Sequence, residues 1–341
     1  GTDTRRYANA YAMRTLTFCY CLTTDGADVH AAATLVSVLS LRRQHDRSRI
    51  VLVADEESAR CLERHRHPLL TLVDELVPVP VPVSAAGMRN RHVKTRMPQI
   101  VRGDFLYLDG DTVVVRPLDE VFQIDAPFAA ARNHNSSRLV EPEFAVELNT
   151  FKRLGWDPPG TPYVNGGVLF FRDDPAVGQF SELWHRKWLQ ASASGKHHDQ
   201  SSLNSALWDS RIESRLLPHR FNAQVHVRPR TALGAHLWHI YASASKERLP
   251  RTGLDSLVRD FLSTGTPDPS AVASFCARPH PWLVKTPLDA IIIRRMLNRW
   301  DYLSEDRFEC QWLSGRRRVA LKGIFPAVGT RLARLLHAIR P

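Results

Sequence analysis

One stretch constrains this chain more than any other: Phe105-Leu106-Tyr107-Leu108-Asp109-Gly110-Asp111-Thr112-Val113-Val114-Val115. An apolar run rises to two aspartates one glycine apart, and an apolar run resumes after them. The first run predicts a buried strand. Residues two apart in extended backbone project to the same side, so Asp109 and Asp111 converge at the strand's end. Two converging carboxylates repel each other unless a cation sits between them. A hard divalent ion, Mn²⁺ or Mg²⁺, meets that demand and keeps open positions for substrate phosphates. Asp-x-Asp also occurs in solvated turns, so the neighbouring elements decide what it means.

Those elements alternate between strand and helix. Residues 14–24 predict a first strand, centred on Leu16-Thr17-Phe18-Cys19-Tyr20. Asp28 can cap a helix reaching about Arg43, with Ala32, Leu35, Val36 and Leu39 at helical spacing. Arg49 to Asp55 is a second strand, and Glu56 to His67 a short helix. Leu76 to Val83 is extended, because its alternating prolines forbid both a helix and a central strand position. Such alternation predicts an α/β fold, an open parallel sheet with helices on both faces. Ligands in such sheets bind at the carboxyl ends of the strands, where Asp109 and Asp111 fall.

Further along, Val168-Leu169-Phe170-Phe171 is an apolar strand, Gln179 to Gln190 a helix, and Ala191 to Lys196 a small-residue loop. Trp184 and Trp188, at i and i+4, are expected to be packing residues. Asp199 begins a helix to Trp208, short strands fill 212–241, and helices cover 252–265 and 288–300. The division expected is a catalytic domain over residues 1–250, a helical extension over 251–315 and a basic amphipathic tail over 316–341.

The chain has 341 residues, 43% hydrophobic and 24% charged, enough for one large core or two moderate ones. No run of 18 apolar residues is present, so no membrane-spanning helix is expected. Its five cysteines form no metal-type pair, and Cys19 and Cys21 alternate along an apolar strand as buried thiols do. A reducing, cytoplasmic setting follows. A net charge of +11 suits anionic partners such as nucleotide diphosphates or anionic lipid. Nucleic acid is disfavoured, since no recognised binding motif accompanies the charge.

Three more segments give the two aspartates a context. Tyr163-Val164-Asn165-Gly166-Gly167-Val168 lies downstream, then Asp199-Gln200-Ser201-Ser202-Leu203-Asn204, then a late histidine followed by a lysine. With Tyr107-Leu108-Asp109-Gly110-Asp111, this ordered set resembles the nucleotide-sugar glycosyltransferases of the GT-A fold, and family eight in particular. The resemblance covers roughly residues 15–250. It implies a Rossmann-like GT-A sheet, a Mn²⁺ or Mg²⁺ cofactor, a nucleotide diphosphate sugar donor (most often a UDP-sugar) and a saccharide, lipid-linked or other hydroxyl acceptor.

The same resemblance assigns roles residue by residue. Asp109 and Asp111 would hold the metal, with His239 as third ligand and His236 as its competitor. Here the pattern departs from the family: Ala242 stands where the family has glycine, Lys246 lies one place late, and no Pro-Trp follows it directly. Lys94 would contact the donor, with Arg96 as the alternative. Thr23 and Asp25 would lie against the nucleoside, though a βα turn favours such residues anyway. Asn165 would lie near sugar and acceptor, while Gly166 and Gly167 suggest close backbone approach to a ligand or a sharp bend. Asp199 would bind donor hydroxyls, unless it is merely a helix cap, and Gln200 would approach the reacting carbon.

A transferase retaining anomeric configuration is the leading expectation. An inverting enzyme of the same fold and a non-catalytic sugar-nucleotide or lectin-like module are the alternatives. The tail carries Arg316, Arg317, Arg318, Lys322, Arg331, Arg334 and Arg340 among apolar residues and no acid. That composition suits an interfacial helix on an anionic membrane, at the inner face, or a terminal helix packed on the domain.

Overall fold

The computed structural model describes residues 15–26, 28–82, 86–135, 144–157, 162–240 and 252–298. The 316–341 tail, the segment holding Ala242 and Lys246, and Cys310 lie outside them. The first strand, β1 (Thr17–Leu22), leads through α1 (Val29–Gln44) to β2 (Arg49–Asp55). Next come α2 (Glu56–Arg64), β3 (Glu75–Val79), α3 (Ala86–Lys94), β4 (Phe105–Leu108) and β5 (Thr112–Val114). After them lie β6 (Phe128–Arg132), α4 (Phe144–Leu154), β7 (Val164–Phe171), α5 (Pro175–Ala193), α6 (Gln200–Ser210) and β8 (Ser214–Leu217). The last described elements are β9 (Ala223–Gln224), β10 (Leu237–His239), α7 (Gly253–Thr264), α8 (Pro269–Cys276) and α9 (Pro287–Asn298).

Seven strands form the main sheet in the order β3-β2-β1-β4-β7-β6-β8. Strands β3, β2, β1 and β4 run parallel, as the strand–helix alternation requires. Strand β7 then enters antiparallel between β4 and β6, and β8 pairs parallel to β6. Alternation along β1 builds both faces at once. Phe18 and Tyr20 join Leu35, Val38 and Leu41 of α1, while Cys19 and Cys21 face Val93 of α3, Trp184 of α5 and Leu203 of α6. Burial in this core pushes the Cys21 thiol up to about 12, in keeping with an inert filler. Pro78 is tolerated because β3 is the sheet's edge.

Local signals set the helix ends. Asp28 caps α1 by accepting from the Ala31 N–H at 2.8 Å, and Asp174 with Pro175 starts α5 earlier than periodicity alone suggests. Helix α2 stops at Arg64, short of His67, because Pro68 opens a separate 3₁₀ turn. Thr252 and Asp255 form a reciprocal cap at α7. Helices α7, α8 and α9 share a core with α1, Val113 and Trp238, so this helical part packs behind the small sheet β5-β10-β9.

Candidate active site

A cleft of about 470 Å³ opens at the carboxyl ends of β1 and β4. The apolar strand β4 ends at Leu108, and the chain turns through Asp109, Gly110 and Asp111 before β5. Gly110 permits this turn to lie on α1: a side-chain carbon there would stand 2.2 Å from Thr34 Oγ1. Strand β10 pairs antiparallel with β5 and sets His239 opposite Thr112, while the Ile240 N–H donates to the Asp111 carbonyl at 3.0 Å. This register delivers a histidine from far along the chain to the two aspartates. Ligand atoms of Asp109, Asp111 and His239 lie within 4.8 Å of one another, and His239 Nε2 is 3.3 Å from Asp111 Oδ1. Two carboxylates and one imidazole fit a hard or borderline divalent ion. Burial works to raise the Asp111 carboxyl, but His239 and Lys94 hold it below the ordinary carboxylate value. His236 takes no part; its ring is half-buried against Phe221 and hydrogen-bonds the Pro117 carbonyl at 2.5 Å.

Lys94 is buried, not solvated, and joins two parts of the cleft. Its Nζ lies 3.0 Å from Asp109 Oδ1 and 3.2 Å from Asp199 Oδ2. Arg91, one turn earlier on α3, reaches the other Asp199 oxygen at 3.3 Å. Burial opposes ionisation of Asp199, but Lys94 and Arg91 draw its pKa down to about 2. Burial likewise works against the Lys94 ammonium, and Asp109 and Asp199 overcome it, raising the lysine above its usual range. Tyr107 donates its phenolic hydrogen to Asp109. Asp199 stands at the N-cap position of α6, yet its side chain makes no cap bond and faces Lys94 and Arg91 instead. Trp184 and Trp188 are core residues, as expected, and their indole N–H groups also pin the approach to Asp199 through the carbonyls of Asp199 and His197. Arg96 bonds His92 and Gln99 and is not among the residues lining the cleft.

Asn165, Gly166, Gly167 and Gln200 meet on the opposite wall. The Gly166 N–H and the Asn165 amide approach Gln200 Oε1 at 3.4 and 3.5 Å. Asn204 clamps this arrangement: it accepts from the Val164 N–H and donates to the Val164 carbonyl, fixing α6 against β7. Gly167 serves a purpose other than close approach to a ligand alone. A side-chain carbon there would stand 2.1 Å from His239 Cε1, so the glycine makes room for the ring. Gly167→Ala is therefore expected to displace His239 and weaken Mn²⁺ binding by about tenfold or more, read by titration of free Mn²⁺. Unchanged affinity would show that the ring is not held for a metal.

Thr23 lines the cleft, and Asp25 does not. Asp25 is exposed; its N–H bonds the Asp28 carboxylate, and its carbonyl accepts from Cys61. Arg91, Tyr107 and His198 line the cleft as well. Arg91 was detectable, since i and i+3 share a helical face with Lys94.

No family profile and no curated protein matches the sequence. Solved structures do match. The glycosyltransferase GlyE of Streptococcus pneumoniae TIGR4 superposes with a TM-score of 0.50 at 15% identity, over 80% of this chain and 66% of that one. The chain thus spans just under two thirds of that protein's length. Galactosyltransferase LgtC, solved with donor and acceptor sugar analogs, is 15% identical over 74% of this chain and 98% of its own, with a TM-score of 0.46. At these identities the GlyE likeness shows the fold, and the fold is the GT-A type expected from the sequence.

Proposed function

We propose that this chain is a metal-dependent glycosyltransferase, moving a sugar from a nucleotide diphosphate sugar, a UDP-sugar, to a hydroxyl acceptor with retention of configuration. The observation that carries this reading is the Asp109, Asp111 and His239 cluster at the end of a parallel strand, joined through Lys94 to Asp199. A bound Mn²⁺ would neutralise charge on the departing diphosphate. Asp199, kept ionised by Lys94 and Arg91, would accept hydrogen bonds from donor-sugar hydroxyls. Gln200 and Asn165, on the facing wall, would orient the sugar toward the acceptor.

Retention is favoured by what the cleft carboxylates already do. Among the described lining residues the carboxylates are Asp109, Asp111 and Asp199, and each contacts Lys94, His239 or Arg91. A general base for inversion would have to surrender such a partner. Same-face substitution needs no base. The bond from C1 to the phosphate oxygen breaks, the acceptor oxygen bonds C1, and the acceptor proton passes to the departing phosphate.

Hydrolysis of UDP-sugars with Mn²⁺, against a metal-free control, tests the activity, and NMR of the product anomer tests retention. Donor binding without any turnover would favour the non-catalytic module instead. Gln200→Ala is expected to lower turnover by about 100-fold while donor affinity changes little, as for a group acting chiefly in the transition state. Wild-type turnover would remove Gln200 from the reaction.

No helix among the described residues is long and apolar enough to cross a membrane. The reading also includes a lipid-linked acceptor, with the basic tail on an anionic membrane at its cytoplasmic face. Deleting residues 316–341 is expected to abolish binding to anionic vesicles and spare donor hydrolysis. A full-length protein that ignores such vesicles at low salt, where the attraction is strongest, would remove the membrane role.

A further inference from the structure

A single backbone N–H sets the polarity of the buried amides behind the cleft. The pairing of β6 with β7 holds at Ala130 and Leu169, then shifts register and resumes at Arg132 and Val164. Across that irregularity the Gly167 N–H donates to Asn165 Oδ1 at 2.9 Å. A backbone N–H can only donate, so the Asn165 atom it meets is the amide oxygen. Asn222 reaches the same oxygen at 3.0 Å and must present its NH₂ group. That turns the Asn222 oxygen toward His239 Nδ1, also at 3.0 Å. An amide oxygen only accepts, so Nδ1 carries the hydrogen. The remaining ring nitrogen, Nε2, lies 3.3 Å from Asp111 Oδ1.

We infer that Asn222 is a positioning residue, which transmits the polarity of the Gly167 N–H to His239 and commits Nε2 to ligation. Asn222 and His239 are both buried, at 0% and 2% exposure, so no solvent competes for these bonds. With the hydrogen held on Nδ1, the neutral ring turns a lone pair toward a carboxylate oxygen. A metal cation between them, or a second proton on Nε2 when no metal is bound, makes that arrangement favourable. The order of events along the chain is therefore Gly167, Asn165, Asn222, His239, and the donor polarity alternates without conflict at each step. Such outer partners fix ring orientation and tautomer in metal sites generally. The consequence for metal affinity rests on the metal reading proposed above; the polarity of the relay does not.

The test uses the full-length chain, wild type, Asn222→Asp and Asn222→Leu. Nitrogen NMR of the metal-free wild type at alkaline pH, where the imidazole is neutral, is expected to find the His239 hydrogen on Nδ1. A hydrogen on Nε2 overturns the relay whether or not a metal binds. Mn²⁺ affinity is then read from the signal of free ion by electron paramagnetic resonance. Asn222→Asp keeps an acceptor for Nδ1–H but loses the donor to Asn165, and is expected to bind more tightly than Asn222→Leu, which loses both and weakens binding about 10- to 100-fold. Equal affinity in wild type and Asn222→Leu overturns the inference. A wild type that binds no Mn²⁺, with the hydrogen found on Nδ1, removes the metal reading and leaves the relay standing.

Discussion

Asp111→Asn is expected to abolish Mn²⁺-dependent transfer, by about 1,000-fold or more, while the protein still melts cooperatively. Asparagine keeps the shape of the side chain but supplies no charge. Its NH₂ group would also face His239 Nε2, which stands 3.3 Å from the present carboxylate oxygen, and close the place for an ion. Asp109→Asn is expected to lose activity equally and to lose more stability. Asp109 also partners Lys94 at 3.0 Å and accepts the Tyr107 hydroxyl, so its charge is shared with buried groups. Activity at limiting Mn²⁺, together with thermal melts, measures both effects. Near-normal turnover in either variant at limiting ion would remove the metal assignment.

The parts of this site that were legible in sequence are those encoded locally. An apolar run ending in two aspartates needs only strand periodicity and charge repulsion to be understood. The cap at Asp28 acts within three residues, so its helix follows from a short pattern, whereas the start of α5 at Asp174 and Pro175 precedes the helix expected there. The partners brought together by long-range pairing were less legible. Strand β7 inserts antiparallel beside β4, and the register that sets Leu108 opposite Val168 leaves no trace in either segment alone. His239 could be separated from His236 only through the pairing of β10 with β5, which sends one ring inward and leaves the other on the Pro117 carbonyl. Asp25 shows the converse. A carboxylate in a βα turn has two uses, and here its backbone closes the turn while its neighbour Thr23 lines the cleft. Asn222 carried no signal, because a buried asparagine between strands resembles any other loop amide until its two partners are known.

Lys94 links the two acidic halves of the site, and its removal is expected to have the largest effect on stability. In Lys94→Met the Asp109 and Asp199 carboxylates lose the ammonium that stands 3.0 and 3.2 Å from them. Methionine fills similar volume but leaves like charges partly buried and facing, so a loss of about 3–5 kcal/mol is expected at neutral pH. Arg91 still holds one Asp199 oxygen, which places the loss toward the lower end. The pH dependence follows from the wild-type shifts. Asp199 falls from 3.8 to about 2 on folding, so its contribution is present above 3.8 and fades as pH drops toward 2. Lys94 is raised above 10.5 in the folded state, so its contribution is full below 10.5 and fades only as pH rises beyond it. The difference between wild type and Lys94→Met should therefore be constant across neutral pH and shrink in acid, where a proton replaces the missing ammonium between the carboxylates. Urea unfolding of both proteins over that range is the measurement. A variant within about 1 kcal/mol of wild type at neutral pH would show that Lys94 does not hold the two carboxylates together, since breaking a buried pair ordinarily costs several times that.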